Sequence, residues 1–399
     1  MKSHSERFDR LMALPPILRG GFRPFFLGGA CWAAIVVTLW LLALSGRIVI
    51  PSRFDALAWH RHEMLFGYLS GVVAGFLMTA IPNWTGRLPI AGRPLAAMAL
   101  LWLAARLAVL FSNAVGIFPA MALDVGFLAT LAFVAAREVL AARNRNVPVV
   151  IVVSLLALGD LLDYLELLGA PVPAGIGWRL GFGLILLLVA LIGGRIIPSF
   201  TRNWLMKQGE RERLPSQPTR FDLASLGLLG IAMATWVAAP DAVAAGALLI
   251  AAGLMQFVRL ARWRGVACWR EPLVAVLHVG FAFVPVGLVM LGLSHFVRCV
   301  PASGSLHLLG AGAMAAMTLA VMTRATLGHT GRALRADGVT VAIYALLGLG
   351  AVLRFAASAL PMDYIHALWL AGAPWVAAFA LFALRYGPML AGPRPDGKP

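Results

Sequence analysis

The chain has 399 residues, of which 61% are apolar and only 13% charged, too apolar for a soluble domain of this length. Its net charge of +16 gives no sign of nucleic acid, because the arginines fall in short gaps between apolar runs rather than along a basic stripe with interleaved aromatics. Cys31, Cys268 and Cys299 are far apart and lack CxxC spacing, which indicates neither a disulfide framework nor a zinc site.

The composition predicts an all-α, polytopic integral membrane protein. Apolar runs fall at 25–45, 62–82, 94–112, 117–136, 147–168, 176–197, 222–239, 242–260, 272–296, 304–323, 339–358 and 364–384, each near the roughly 20 residues that cross a bilayer. Residues 1–24, with Lys2, Arg7, Arg10, Arg19 and Arg23, read as a cytoplasmic N-terminal segment without a small-residue cleavage site. Residues 25–390 form one transmembrane domain with a hydrophilic cytoplasmic loop near 201–221, and 391–399 a cytoplasmic tail. Alternating the loops collects nearly all Lys and Arg on the side of the termini and leaves only Arg47, Arg53, Arg61, Arg179, Arg298 and Arg354 opposite. By the positive-inside rule both termini are cytoplasmic.

The second run opens on WHRHEM, followed by no charge between Glu63 and Arg87. Ionisable groups at membrane depth are costly and read first as functional. At about 100° per residue, His60 and His62 serve opposite faces. Glu63 returns to the His60 face, and Gly67, Gly71 and Gly75 continue it as a small-residue stripe open to a neighbouring backbone or a flat ligand. Similar Pro-, Thr- and Arg-rich endings at TAIPNWTGR, GGRIIPSFTRNW and AVMTRATLGHTGR are compatible with three units of four helices.

The other histidines extend the pattern. His307 opens the tenth run, level with His60 and His62; His278 lies inside the ninth; His329 follows the tenth, between Arg324 and Arg332, which can bracket a propionate or phosphate. His295 and His366 read as solvated helix ends, and His4 as inert. Neutral imidazoles on membrane helices are axial ligands for haem and good ligands for copper. The alternative is a proton- or cation-coupled transporter using Glu63 with Asp160, Asp163 and Glu166.

The segment WHRHEMLFGYLSGVVAGFLMTAIPNWTGRLPIAGRPL, with GFRPFFL at 21–27, EPLVAVLHVG at 271–280 and LHLLGAGAMAAMTLAVMTRATLGHTGR at 306–332, closely resembles the NnrS family over almost the whole chain. That resemblance implies a protein of the bacterial cytoplasmic membrane containing haem and copper and linked to denitrification and nitric-oxide resistance. Its motif positions fall on His60, His62, Glu63, His278, His307 and His329. The expectation is haem b held by His60 or His62 with His307 opposite, and a second metal, haem or copper, on the remaining helix-2 histidine. His278 or His329 would serve a centre nearer the cytoplasm. Nitric oxide would be reduced with electrons from a quinol or cytochrome donor and protons relayed by Glu63. A haem-based sensor or buffer without turnover, a haem or copper handling protein, and the transporter remain open.

Overall fold

The computed structural model describes residues 11–215 and 218–398, so Lys2, His4, Arg7 and Arg10 of the N-terminal segment lie outside the described residues. The chain is 78% helical, with no strand among the described residues. Among the described residues twelve helices are long and apolar enough to span a membrane. In chain order they are α1 Phe22–Leu44, α2 Ala56–Thr85, α3 Arg93–Leu110, α4 Ile117–Ala141, α5 Val147–Leu167, α6 Ile176–Lys207, α7 Arg220–Ala238, α8 Val243–Ala261, α9 Pro272–Leu293, α10 Ala302–His329, α11 Gly338–Ala359 and α12 Tyr364–Ala391.

Helices α2, α4, α6, α10 and α12 outrun the apolar runs that predict them. Asp55 caps α2, accepting 2.9 Å hydrogen bonds from the Leu57 and Ala58 amides, so the helix starts six residues before the run at 62 and carries the whole WHRHEM motif. It continues past Pro82 to end at Gly86, whose φ of +68° is the left-handed closure that glycine permits. Helix α6 runs through Pro198 to Lys207, which confines the hydrophilic loop to 208–219. Helix α10 extends to His329, with Thr326 Oγ1 bonding the Met322 carbonyl at 2.6 Å.

The chain divides into two compact units. The first holds α1 to α5, the start of α6 and the closing parts of α10 and α12; the second holds the remainder of α6, α10 and α12 with α7, α8, α9 and α11. In the first unit the small-residue stripe of α2 is filled by protein. A Cβ at Gly71 would stand 3.0 Å from Trp102 Nε1, and one at Gly75 would stand 2.9 Å from the Phe26 ring. The stripe therefore receives large side chains of α1 and α3 rather than a backbone or a flat ligand. In the second unit α7 is tied to α8 by buried Arg259, whose Nε donates to Asp222 Oδ1 at 3.1 Å and Nη1 to Gln256 Oε1 at 2.9 Å.

Both α2 and α10 contain a wide π-helical turn, at Glu63–Leu69 and Leu308–Met314, directly after His62 and His307. Such turns are rare and concentrate at functional sites.

A buried ion network as the candidate functional site

In the first unit α2, α3, α4 and α5 bring His62, Glu63, Arg106, Asp124, Asp160 and Asp163 together. The side chains of His62, Glu63, Arg106, Asp124 and Asp160 are fully buried, and Asp163 is 5% exposed. Each stands about one to two turns from its helix end, roughly 10 Å or less at 1.5 Å per residue. Antiparallel neighbours thus place the start of α2, the end of α3, the start of α4 and the end of α5 at one level.

His62 is the hub. Its Nδ1 lies 2.8 Å from Asp163 Oδ2, its Nε2 lies 2.8 Å from Asp124 Oδ2, and Asp160 Oδ1 is 3.7 Å from Nε2. A carboxylate at each ring nitrogen suits an imidazolium, which donates from both. Aromatic rings enclose the imidazole: Phe54 stacks at 4.6 Å between centroids, with Tyr164 at 5.1 Å and Phe66 at 5.3 Å. Tyr164 also donates its hydroxyl to Asp124 Oδ2 at 3.1 Å.

Arg106 joins the adjacent pair His62 and Glu63 into one network. Its guanidinium bonds Glu63 Oε2 at 2.7 Å and, from its other terminal nitrogen, Asp124 Oδ1. Trp32 of α1 donates Nε1–H to the same Glu63 oxygen at 2.6 Å. Among the described residues Glu63 Oε1 and both oxygens of Asp160 have no hydrogen-bond partner. Gly67 makes the network possible, because a Cβ there would meet Glu63 Oε2 and stand 2.7 Å from Arg106 Nη1. Trp102 Nε1–H donates to the Gly67 carbonyl at 3.0 Å, within the π-turn, where the ordinary helical ladder is interrupted.

The remaining predicted residues lie elsewhere. His60 faces away from His62, stacked on Trp40 at 4.2 Å, as the opposite-face reading requires. His329 is the last residue of α10 and packs on Phe22 at 5.4 Å, with its carbonyl accepting from Arg394. Beside it Arg332 bonds the Thr330 carbonyl at 3.2 Å, while half-buried Arg324 sits on α10. In the second unit His278 Nε2 lies 2.8 Å from Thr201 Oγ1, near the start of α9. His307, near the start of antiparallel α10 and so at the other end of that unit, donates Nδ1–H to the Ser303 carbonyl at 2.7 Å. That bond leaves Nε2 as the lone-pair nitrogen, the tautomer of a metal-ligating histidine. His366 bonds Asp363 at 2.8 Å on the surface, and Glu166 accepts from the Gly175 amide at 2.7 Å, outside the network.

The sequence reading missed Arg106 as a functional residue and Asp124 altogether. Their only signal was that each is a single charge within an apolar run, which marks an intramembrane ionisable group. Trp32 had no signal of its own.

Fold and site together define an all-α polytopic membrane protein that keeps a cluster of ionisable side chains inside its helix bundle. The family described as NnrS protein matches residues 16–394, nearly the whole chain, and the chain belongs to that family. Membership points to a membrane protein related to nitric oxide. No curated protein matches the chain.

Proposed function

We propose that this protein removes nitric oxide in the membrane by reduction, two electrons and two protons converting two NO into N2O and water. Electrons would come from a donor of the quinol or cytochrome class. The observation that supports the reading most is the buried Glu63–Arg106–Asp124–His62 network on the family motif helix. Charged groups cost about 2.5–3.5 kcal/mol each or more at a bilayer centre and less toward its faces, and chemistry that consumes protons away from water gives a reason to keep them. Glu63 is the proposed proton relay, with Oε2 fixed by Arg106 and Trp32 and Oε1 without a hydrogen-bond partner.

A haem or copper centre would supply the place where NO binds and is reduced. The residues fit such a group unequally. His307 carries the ligating tautomer, His278 has a buried Nδ1 without a hydrogen-bond partner among the described residues, and Arg324 and Arg332 beside His329 suit propionates. His62 fits a porphyrin poorly, since both nitrogens face carboxylates and rings close around it.

The test is a reduced-minus-oxidised spectrum of the detergent-purified protein with metal analysis, followed by NO addition and N2O detection. Stoichiometric haem with a Soret band shifted by NO is expected, together with N2O formation that falls at least tenfold in Glu63→Gln. Full turnover in that variant removes the proton role. A preparation free of haem and copper after expression with both overturns the reading. It would favour instead a proton- or cation-coupled transporter, for which Asp160, buried and without a hydrogen-bond partner, is the specific support.

A further inference from the structure

We infer that His62, Asp124 and Asp160 form a non-haem site for one divalent transition-metal ion, with Asp163 as the residue that orients the imidazole. The ligand atoms are in place: one nitrogen and two carboxylate oxygens from α2, α4 and α5, all within 4.8 Å of one another and all buried. Ions of this kind sit about 2.0–2.2 Å from nitrogen and oxygen ligands, which puts the ligand atoms roughly 3–3.5 Å apart, so closing the group around one needs a small inward movement of Asp160, now 3.7 Å from Nε2, and a small outward one of Asp124, now at 2.8 Å.

Asp160 is the observation that separates a site from a mere acidic cluster. It is fully buried and aimed at His62, yet neither oxygen has a hydrogen-bond partner among the described residues. An ionised carboxylate left unpaired away from water is strongly disfavoured, and a bound cation in place of a proton resolves it. Charge points the same way. Four carboxyl side chains, Glu63, Asp124, Asp160 and Asp163, are gathered here around one arginine, Arg106, and one histidine, His62.

The surroundings match a metal-binding histidine. Its Nδ1 faces Asp163 Oδ2 at 2.8 Å, the carboxylate–histidine–metal arrangement that sets tautomer and orientation. Asp124 is held at Oδ1 by Arg106 and at Oδ2, the oxygen facing Nε2, by the Tyr164 hydroxyl. The donors, borderline imidazole nitrogen and hard carboxylate oxygens without sulfur, select Fe2+, Mn2+ or Zn2+ over Cu(I). The proposal goes beyond the nitric-oxide reading and holds whether or not NO is turned over.

To test it, the full chain purified in detergent is stripped with a chelator, then loaded with Mn2+ or Zn2+ and desalted. Bound metal is counted by elemental analysis, and Mn2+ is also followed by its EPR spectrum. One ion per chain is expected. Asp160→Asn lowers affinity by at least about 100-fold and Asp163→Asn by about 10- to 100-fold, whereas Glu166→Gln leaves it unchanged. Haem, read optically on the same samples, keeps its stoichiometry in Asp160→Asn, which separates failure here from failure of the haem reading. If Asp160→Asn does not accumulate, the wild type decides through the rise in its thermal midpoint with Zn2+. Retention of none of Mn2+, Fe2+ and Zn2+ by the wild type, or wild-type affinity in Asp160→Asn, overturns the site.

Discussion

At the residue scale the network turns on Arg106. Its two terminal nitrogens answer Glu63 and Asp124, and among the described residues the other basic side chain bonded to either is His62, at Asp124. Removing one partner of a buried ion pair leaves the other charge uncompensated, at about 3–5 kcal/mol. Arg106→Met is therefore expected to lower the thermal midpoint sharply or to abolish accumulation in the membrane. Adding Glu63→Gln should recover part of the loss, since the neutral amide still accepts from Trp32. A single Arg106→Met as stable as wild type would show that the two carboxyls are held neutral and that Arg106 is not their counter-charge. Much of this site was legible in the chain: WHRHEM marked His62 and Glu63, and the alternative reading joined Glu63 to Asp160, Asp163 and Glu166, of which Glu166 lies outside the network, on the Gly175 amide. The pairing of Arg106 with Asp124 was not legible, because a lone charge in an apolar run announces burial but carries no record of its partner.

At the element scale the informative comparison is between two glycines in helix interiors. Gly67 lies in the π-turn of α2, where a Cβ would press on Glu63, Arg106 and Trp32 Nε1, the last at 3.1 Å. Gly126 in α4 has nothing within 4 Å of that position. Gly67→Ala should cost about 1–3 kcal/mol as overpacking and disturb the Glu63–Arg106 pair. By contrast Gly126→Ala should be neutral or stabilise by up to about 1 kcal/mol through helix propensity alone. Thermal unfolding of both variants in one detergent checks the contrast; equal effects would mean that the tight packing at Gly67 carries no energetic weight. Hydropathy located every helix but not its length, since an apolar window stops at the first charges while a helix continues to its cap, as Asp55 does for α2. The glycine stripe was visible as close packing, but nothing in its spacing distinguished tryptophan and phenylalanine from a flat ligand.

At the scale of the whole molecule, the twelve helices among the described residues that are long enough to cross a membrane would return the chain to the side on which it starts, and the basic residues gather on that side. If that side is the cytoplasm, the His62 network lies nearer the outer face, because the start of α2 and the end of α5 both lie opposite the termini. Proton or metal access would then come from outside the cell, and the loop 208–219 would face in. Cys299 is a natural reporter for this, exposed in the turn between α9 and α10, while Cys268 is buried and Cys31, though also exposed on the protein, lies in the middle of α1, where the bilayer would cover it. A membrane-impermeant maleimide added to intact spheroplasts should label Cys299, and replacing it with serine should abolish most labelling. A cysteine placed at Glu212 in that background should react only after the membrane is opened. The reverse pattern would invert the whole chain in the bilayer and move the entrance of the network to the cytoplasmic face. That would change the source of its protons while leaving every contact within it as described.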